Sequence, residues 1–520
     1  MRVADPWKAG LARGWKVTNA SALASDLALE ADVVIVGTGA GGGTAAEILA
    51  AAGLSVILVE EGILKTSDQF TMDEREAYRD LYQEGVARAT KDGAIGILQG
   101  RSVGGTTTVN WTSSFRTPDP TLQHWGERYG VKGVSPAEMA PWFERVEARL
   151  NVQKWAMPPN TNNNLLRSGC EKLGYTWAVI PRNVNGCWNL GYCGMGCPTN
   201  AKQSMLVTTI PAALDAGAQL LWRLRAERVV LKGDRVAGVD CVALGADGQS
   251  ATGRKVAIRA RHTILSGGGI NTPGLLLRSK VPDPHERVGK RTFLHVVPGS
   301  FAQFPDSVDP YYGAPQSVYS DHFLWEDVAD GRLGFKLEVM PMHPGITSAL
   351  MGVHGRGHLA DMQQLPRTNS VLALLRDGFH EQSPGGSVEV RADGSPVLDY
   401  PVNDYLLSGA RRAHEVIIDI QFAAGATRVR PLTSNPVWFT SPAQARQSLA
   451  SFDYRPQHVK LASAHVMGGC CMGEDPRVAV CDSRGRYRHL EGLSVMDGSL
   501  FPTSIGANPQ LSIYGLVAKL

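Results

Sequence analysis

Apolar and small residues near the start of the chain predict a strand, a helix and a second strand. Ala31 to Val36 is a short run rich in valine, which is typical of a strand buried on both faces. Thr44 to Ala52 is rich in alanine and favours a helix, which Gly53 ends. Ser55 to Val59 predicts the next buried strand. Together these segments predict a βαβ unit of about thirty residues.

A clear amphipathic helix follows at Ser135 to Leu150. Ser135 precedes a proline at the first helical position, and Glu138 completes a capping box. The surrounding stretch, 118–200, is rich in Trp, Pro, Asn and Gly, and we interpret it as an inserted region.

Further strands predict two kinds of sheet. Apolar runs at Val229 to Leu231, Val236 to Leu244 and Val256 to Leu265 fit a return to the first unit. Between Gly299 and about Leu449, short alternating segments are separated by turns, which predicts a mostly antiparallel sheet. The clearest of these segments are Phe335 to Met340 and Gly386 to Val390, and a final helix is predicted from Gln510 to Leu520.

The fold class predicted by this pattern is α/β. A Rossmann-like nucleotide-binding domain with a parallel sheet is combined with an α+β substrate domain whose sheet is mostly antiparallel. The predicted division assigns 1–117, 201–298 and 461–520 to the nucleotide domain, 118–200 to the inserted cap, and 299–460 to the substrate domain.

Composition and charge narrow the class of protein. The chain has 520 residues, 43% of them hydrophobic and 19% charged, as expected for a globular protein. Its formal net charge is +3 without any basic block, which argues against a nucleic-acid partner. No apolar run reaches the ~18 residues of a membrane helix, and residues 1–29 lack a secretory apolar core. We therefore expect a cytoplasmic protein, with peripheral membrane attachment through a partner subunit left open.

A glycine fingerprint lies between the first strand and the helix. Gly37, Gly39 and Gly42 form G-x-G-x-x-G in the strand-to-helix context that dinucleotide binding requires. Gly37 permits a tight turn, Gly39 permits backbone to approach a pyrophosphate, and Gly42 permits helix and strand to pack. Glu60, at the end of the second strand, is placed to bind a ribose 2′-hydroxyl. The fingerprint alone does not separate FAD from NAD.

A second glycine motif runs from Gly100 to Asn110 and reads GRSVGGTTTVN. It resembles the signature of the glucose-methanol-choline (GMC) oxidoreductases, whose loop runs along the flavin and its diphosphate. The resemblance implies FAD as the cofactor. Flavin-linking members carry a histidine where this chain has Val109, so we expect FAD to be held noncovalently. The loop residues assigned to FAD are Arg101, Gly104, Gly105, Thr106, Thr107 and Asn110.

The C-terminal part carries the other half of the resemblance. Ser463 to Cys470 is similar to the family's histidine motif, which implies that His465 faces the flavin across the substrate. The segment Ser504 to Pro509 is similar to the one carrying the second active-site residue, here Asn508. Alcohol oxidation removes a proton and a hydride, so we expect His465 to act as base and Asn508 to orient the hydroxyl. Further cofactor contacts are assigned to Asp497, Gly498, Asn508, Pro509 and Val229.

Three of the eight cysteines, Cys187, Cys193 and Cys197, fall within eleven residues beside several glycines. The segment resembles that of bacterial FAD-dependent sugar dehydrogenases, which implies a [3Fe-4S] cluster held by these three metal ligands. With Ala201 to Ser204 it also resembles long-chain alcohol oxidases. Reduced thiols that only pack are the alternative.

These features predict FAD-dependent oxidation of a small-molecule alcohol. The electrons pass to a quinone, a cytochrome or O₂, with an electron-transfer subunit as a further candidate partner. An oxidase that forms hydrogen peroxide and a hydroxynitrile lyase remain as alternatives. The motif at Ala201 to Ser204 favours hydrophobic alcohols, whereas the cysteine spacing favours sugars.

Overall fold

Two large β-sheets organise the chain, in a computed structural model that describes residues 5–325 and 331–520. The first four residues of the predicted segment 1–117 and residues 326–330 of the segment 299–460 lie outside this description. The strands are β1 (Lys16–Asn19), β2 (Leu27–Val36), β3 (Val56–Glu60), β4 (Ile95–Ile97), β5 (Val152–Lys154), β6 (Ala178–Val179), β7 (Pro181–Asn183), β8 (Gln219–Trp222), β9 (Leu224–Lys232), β10 (Arg235–Leu244), β11 (Ala251–Leu265), β12 (Lys290–Phe293), β13 (Gly299–Gln303), β14 (Val318–Ser320), β15 (Phe335–Val339), β16 (Thr368–Leu375), β17 (Gly386–Val390), β18 (Pro396–Asp399), β19 (Arg428–Pro431), β20 (Leu461–Ser463), β21 (Met467–Gly468) and β22 (Leu493–Val495). The α-helices are α1 (Pro6–Ala12), α2 (Ala40–Ala51), α3 (Glu74–Leu81), α4 (Asp119–Tyr129), α5 (Pro136–Arg149), α6 (Thr161–Leu173), α7 (Thr209–Asp215), α8 (Gly268–Arg278), α9 (Pro344–Met351), α10 (Gly355–Gln363), α11 (Asp404–Ala423), α12 (Pro442–Ser451) and α13 (Gln510–Lys519).

The larger sheet contains the predicted parallel core. Its strand order is β1-β8-β3-β2-β11-β10-β9, and β22 also pairs with β11. The pairings from β1 to β11 and that of β22 are parallel, whereas β10 pairs antiparallel with both β11 and β9. Every residue of β3 is buried, as expected for a strand covered on both faces. The predicted Rossmann-like sheet is confirmed.

The second sheet is antiparallel, as predicted. Its order is β19-β13-β16-β15-β14-β6, and all five pairings are antiparallel. The twenty-residue helix α11 packs across it, against β13, β16 and β19. A smaller antiparallel sheet, β18-β17-β12-β21, connects this part of the chain to the histidine segment near residue 465.

Helix α2 begins at Ala40, four residues earlier than its alanine-rich sequence predicts. After Ala40, the extra turn consists of three glycines, which are poor helix formers by themselves. Tertiary contact explains them: a Cβ at Gly41 would lie 1.6 Å from the Met496 carbonyl oxygen. At the N-terminus of helix α5, the capping box of Ser135 and Glu138 is formed as predicted.

No α-helix within the two described stretches of the chain is long and apolar enough to cross a lipid bilayer.

Candidate active site

A cavity of about 920 Å³ lies between the two large sheets. One wall is formed by loops that follow the carboxyl ends of β2, β3, β11 and β22, where open α/β sheets bind their ligands. The opposite wall includes side chains of β15 and β16. Its volume is at the upper end of the ~300–1,000 Å³ range that is usual for ligand sites. The predicted site residues that line this cavity are Gly37, Gly39, Glu60, Arg101, Gly105, Thr106, Thr107, Asn110, His465, Asp497, Gly498, Asn508 and Pro509.

The three fingerprint glycines are required for different reasons. Gly37 has φ +98°, and its Cβ would lie 2.4 Å from the Ser266 carbonyl oxygen. Gly42 lies away from the cavity lining, and its Cβ would lie 2.0 Å from the Gly37 carbonyl oxygen, which fits its predicted packing role. A Cβ at Gly39 would have Gly105 Cα as its nearest neighbour, at 3.8 Å. Gly39 is therefore the position where a side chain enters the cavity without colliding with the fold.

The N-terminus of α2 opens on the cavity beside Gly39. Gly39 is the N-cap residue, and no side chain caps the helix. The first N–H groups of a helix are oriented donors with partial positive charge, and they bind phosphate groups well. Gly105, in the second glycine motif, has φ +55°, and a Cβ there would lie 2.7 Å from Gly39 Cα. Two backbones that meet without side chains suit the diphosphate of FAD.

Glu60 lies at the end of β3 and is buried. Its Oε2 accepts hydrogen bonds from the Thr38 N–H at 3.1 Å and the Thr38 hydroxyl at 2.6 Å, and its Oε1 accepts from the Gly62 N–H at 2.9 Å. Burial raises the pKa of Glu60 to about 7, against the opposing effect of these donors. The carboxyl group lines the cavity, where it can also accept a ribose hydroxyl. Thr38 is a site residue that the sequence did not mark.

The hydroxyls of the second glycine motif mainly hold their own loop together. Thr106 Oγ1 accepts from the Gly100 N–H at 3.0 Å, and Thr107 Oγ1 donates to the Gly104 carbonyl oxygen at 2.6 Å. Gly104 itself is absent from the cavity lining but has φ +90°. Asn110 donates from Nδ2 to Gln510 at 2.7 Å. The motif therefore shapes a rigid loop whose backbone borders the cavity.

Two other predicted cofactor residues are held by charged or polar partners. Arg101 Nε lies 3.0 Å from Glu61 Oε1, and both side chains line the cavity. Asp497 accepts hydrogen bonds from the Gly268 N–H and the Thr272 hydroxyl, each at 2.7 Å. Burial raises the pKa of Asp497, against these donors. Its carboxylate ties the start of α8 to the loop that borders the cavity.

Val229, like Gly42 and Gly104, is a predicted cofactor residue that does not line the cavity. It lies in β9 with its side chain in the core, and its N–H donates to the Ser279 hydroxyl at 2.9 Å. The cavity is instead lined by the start of the same strand, including Ala226. An apolar run in the sequence does not show which end of a strand meets a ligand.

His465 lies in the loop between β20 and β21. Its Nδ1 is 3.3 Å from Nδ1 of His295, and His295 Nε2 accepts a hydrogen bond from the Gly506 N–H at 2.9 Å. Burial holds the pKa of His295 well below its usual range, so that ring is neutral and its one N–H is on Nδ1. His295 can therefore donate to His465 across this contact. Burial, and next the charge of Lys336, lowers the pKa of His465 to about 3.

Asn508 is held by a buried ion pair from the antiparallel sheet. Lys336 and Glu338 lie two residues apart on β15, with side chains 2% and 0% exposed, and Lys336 Nζ is 3.1 Å from Glu338 Oε1. The Asn508 Nδ2 donates to Glu338 Oε2 at 3.1 Å, and Lys336 Nζ donates to Asn508 Oδ1 at 3.4 Å. Burial lowers the pKa of Lys336 to about 8. Glu338 lines the cavity together with Asn508 and His465.

Sequence reasoning missed His295, Lys336 and Glu338, and it left His295 as structural. The available signal was the sequence FKLEV of β15, in which two charged residues alternate with apolar ones in a strand whose five residues are all buried. Charged side chains are seldom fully buried unless they are paired.

The part of the cavity beyond His465 and Asn508 is mostly apolar. Its exceptions include Gln316 and Lys460, and the Lys460 ammonium donates to the Leu350 carbonyl oxygen at 3.0 Å. The apolar side chains contributed by the second sheet and its neighbouring segments are Val297, Met340, Leu350, Leu372, Leu374 and Leu432. Such a surface favours a hydrocarbon over a sugar, whose hydroxyls would lose water without gaining partners.

The three clustered cysteines do not form the predicted metal site. Within the described parts of the chain, no group of three or more His, Cys, Asp or Glu side chains is arranged to hold a metal ion. Cys193 Sγ instead accepts from Arg182 at 3.6 Å, Cys197 Sγ lies 3.4 Å from a threonine hydroxyl, and Cys187 Sγ accepts from a backbone N–H at 3.4 Å. Each sulfur has its own protein partner. The [3Fe-4S] prediction is not supported, and the alternative of packing thiols explains the segment.

A buried lysine holds the cysteine segment against the second glycine motif. Lys202 is 2% exposed. Its ammonium donates to the backbone oxygens of Thr108, Asn110 and Cys193 at 2.5, 3.0 and 2.7 Å. Burial lowers the pKa of Lys202 to about 8. Lys202 therefore fixes the loop without a metal ion, because its ammonium binds three carbonyl oxygens from the second glycine motif and the cysteine segment.

Comparison with known proteins agrees with this geometry. Two domain profiles described as GMC oxidoreductase match residues 78–297 and 382–516. A long-chain-alcohol oxidase of Arabidopsis thaliana is 31% identical, over 93% of this chain and 66% of that protein. A GMC-type oxidoreductase of Sinorhizobium fredii is 30% identical, over 96% of this chain and 95% of that protein.

Solved structures show the same fold at low sequence identity. A variant of formate oxidase from Aspergillus oryzae superposes with a TM-score of 0.69 at 16% identity, covering 95% of this chain and 98% of that one. A pyridoxine 4-oxidase from Mesorbium loti gives 0.67 at 16% identity, over 94% and 98%. The matching profiles, the relatives and the cavity at the strand ends lead to one conclusion: this chain belongs to the GMC oxidoreductase family of FAD-dependent enzymes.

Proposed function

We propose that the protein oxidises the CH–OH group of an apolar alcohol to a carbonyl, with FAD as its noncovalent cofactor. The observation that carries this proposal is one continuous cavity with two different ends. At one end lie the glycine backbones and Glu60, which suit a dinucleotide. At the other end His465 and Asn508 border an apolar space.

The residues around the first end fit FAD. The uncapped start of α2 and the bare backbones of Gly39 and Gly105 would hold the diphosphate, and Glu60 would bind the ribose. Val109 borders the cavity without a group that could link to a flavin. When bound, FAD supplies a hydride acceptor.

The residues at the second end position the substrate. The His465 imidazole would accept the hydroxyl proton as the predicted base, and the second N–H of the Asn508 amide can hold the hydroxyl oxygen without adding charge. The ion pair on β15 fixes the amide, and His295 fixes the imidazole. The apolar wall excludes water and binds the carbon chain.

The substrate proposal predicts a dependence on chain length. Each buried methylene contributes about 0.8 kcal/mol, so kcat/KM should rise about fourfold per carbon in a series of primary alcohols until the cavity is full. Steady-state rates for the linear alcohols, with glucose as the polar control, measure this directly. A flat series, or glucose as the best substrate, would contradict the assignment to apolar alcohols.

For the electron acceptor we propose O₂. The cysteine relay that would favour a quinone, a cytochrome or an electron-transfer subunit is not supported by the arrangement of the sulfurs. Several relatives are named alcohol oxidases. Parallel assays of oxygen uptake, peroxide formation and quinone reduction with the same alcohol distinguish these acceptors.

A further inference from the structure

The apolar part of the cavity contains a positive charge that an uncharged alcohol does not use. Lys460 lines it together with the aliphatic side chains of Leu350 and Leu432. A charged group beside an apolar surface costs free energy unless a partner of opposite charge is close. The hydrocarbon chain of a simple alcohol is no such partner, so the position of this ammonium needs an explanation.

The protein itself satisfies only part of the Lys460 ammonium. Within residues 5–325 and 331–520, Nζ has one hydrogen-bond partner, the Leu350 carbonyl oxygen in the last turn of α9, at 3.0 Å. No acidic side chain of these residues forms an ion pair with it. An ammonium has three N–H donors, so two of them remain for solvent or for a ligand.

The neighbouring charges do not balance this lysine. Burial, and next the charge of Arg430, lowers the pKa of Lys460. The acid beside Arg430 is already engaged, because Asp361 forms an ion pair with Arg430 and its Oδ1 accepts from the Trp438 indole N–H at 3.1 Å. One positive charge therefore remains at the apolar part of the cavity, and a ligand with a single negative charge would balance it.

The fold keeps a fixed space for the ammonium. Gly352 is the C-cap residue of α9 with φ +68°, and a Cβ there would lie 2.5 Å from Lys460 Nζ. The carboxyl end of a helix carries partial negative charge, which favours a cation at this point. Lys460 is therefore held in place before any ligand arrives.

Lys460 also lies at a limited distance from the reacting end of the cavity. It precedes His465 by five residues, and the segment between them includes β20, which also lines the cavity. An extended segment of five residues spans at most about 18 Å, so a chain of roughly ten carbons is long enough to reach from one residue to the other.

We propose that the substrate is an ω-hydroxy fatty acid whose carboxylate binds the Lys460 ammonium while its hydroxyl binds at His465 and Asn508. This inference rests on the proposed alcohol oxidation and names its substrate class. The hydroxyl loses its proton to His465 and the carbinol carbon loses a hydride to the cofactor, which is reduced as the ω-oxo acid forms. A carboxylate carries the single charge that one ammonium balances, whereas a phosphate ester carries nearly two.

The first test compares ω-hydroxydecanoate with decanol in the FAD-loaded protein. Because a hydrogen bond to a charged group is strong, we expect kcat/KM to be about tenfold or more higher for the hydroxy acid. Short ω-hydroxy acids should lose this preference, since their carboxylate would lie against the apolar wall without reaching Lys460. Oxidation of decanol as fast as that of ω-hydroxydecanoate, or faster, would overturn the proposal.

The second test replaces the lysine. Lys460→Met keeps an unbranched side chain without its charge, and we expect the ratio of kcat/KM for the two substrates to fall by about tenfold or more. Lys172→Met is the matched control, because that ammonium donates to the Ala423 carbonyl oxygen at the end of α11, at 2.9 Å, outside the cavity lining. Its ratio should not change. If Lys460 only stabilises the end of α9, Lys460→Met slows both substrates equally, which contradicts the proposal.

The third test needs no turnover. Decanoate has no hydroxyl group, so it can bind without reacting, and calorimetric titration of the FAD-loaded protein measures its Kd. We expect Lys460→Met to weaken decanoate binding by about tenfold or more and Lys172→Met to leave it unchanged. Equal affinities in the wild-type protein and Lys460→Met would show that Lys460 does not bind the carboxylate.

These measurements separate failure of this inference from failure of the proposed function. If neither decanol nor ω-hydroxydecanoate reduces the flavin of the wild-type protein, the proposed oxidation is wrong and the substrate assignment falls with it. If both reduce the flavin and Lys460→Met leaves their ratio unchanged, the oxidation stands and the role of Lys460 is wrong.

Discussion

Replacement of Gly39 by valine should abolish FAD binding while the protein still folds. At the other glycines between residues 37 and 42 a side chain collides with backbone, as at Gly41, where a Cβ would lie 1.6 Å from a carbonyl oxygen. At Gly39 the nearest atom to a Cβ is Gly105 Cα at 3.8 Å, and φ is −70°, which valine adopts without strain. The added methyl groups would therefore occupy the space of the diphosphate.

The measurement is the ratio of flavin to protein in purified Gly39→Val, together with its far-ultraviolet circular dichroism. The matched control is Ala51→Val, which places the same residue at an exposed position of the same helix and should keep its flavin. A folded Gly39→Val protein with a full complement of FAD would show that the diphosphate binds elsewhere.

Replacement of His465 by alanine should leave FAD bound and lower turnover by roughly 10²-fold or more, the scale expected for a group that assists proton transfer in the transition state. The substitution removes the imidazole expected to take the hydroxyl proton and leaves the His295 ring without its partner. Because the glycine loops and Glu60 are untouched, the cofactor should remain bound.

Pre-steady-state flavin reduction with a saturating alcohol measures this loss, because it isolates the substrate half of the reaction. His354→Ala is the matched control, since that histidine is exposed and should be dispensable. A flavin-reduction rate within a few-fold of wild type for His465→Ala would show that His465 takes no part in the reaction.

Local patterns predicted the nucleotide half of the molecule well. The βαβ unit and the tight turn at Gly37 depend on residues close together in sequence, so a short window contains their cause, and the same holds for the capping box of α5 in the inserted region. The antiparallel sheet was also predicted, from the alternation of apolar and polar residues along its strands. The cavity brings these pieces together with the predicted His465 and Asn508.

The remaining errors concern contacts between distant segments. His295 contacts His465, which lies 170 residues later in the chain, and Lys336 contacts Asn508, which lies 172 residues later. Neither His295 nor Lys336 lies in a recognisable motif. The cysteine segment shows the converse, because close spacing in sequence did not place the sulfurs around one metal. A lysine nine residues from Cys193 holds that loop instead.

The central claim is that an alcohol reduces a flavin held in this cavity. The most direct test is the visible spectrum of the purified protein before and after anaerobic addition of a primary aliphatic alcohol. The account predicts that the flavin absorbance bleaches and that one carbonyl product forms per flavin reduced. An unchanged flavin spectrum with the whole series of alcohols, in protein that contains its full complement of FAD, would contradict it.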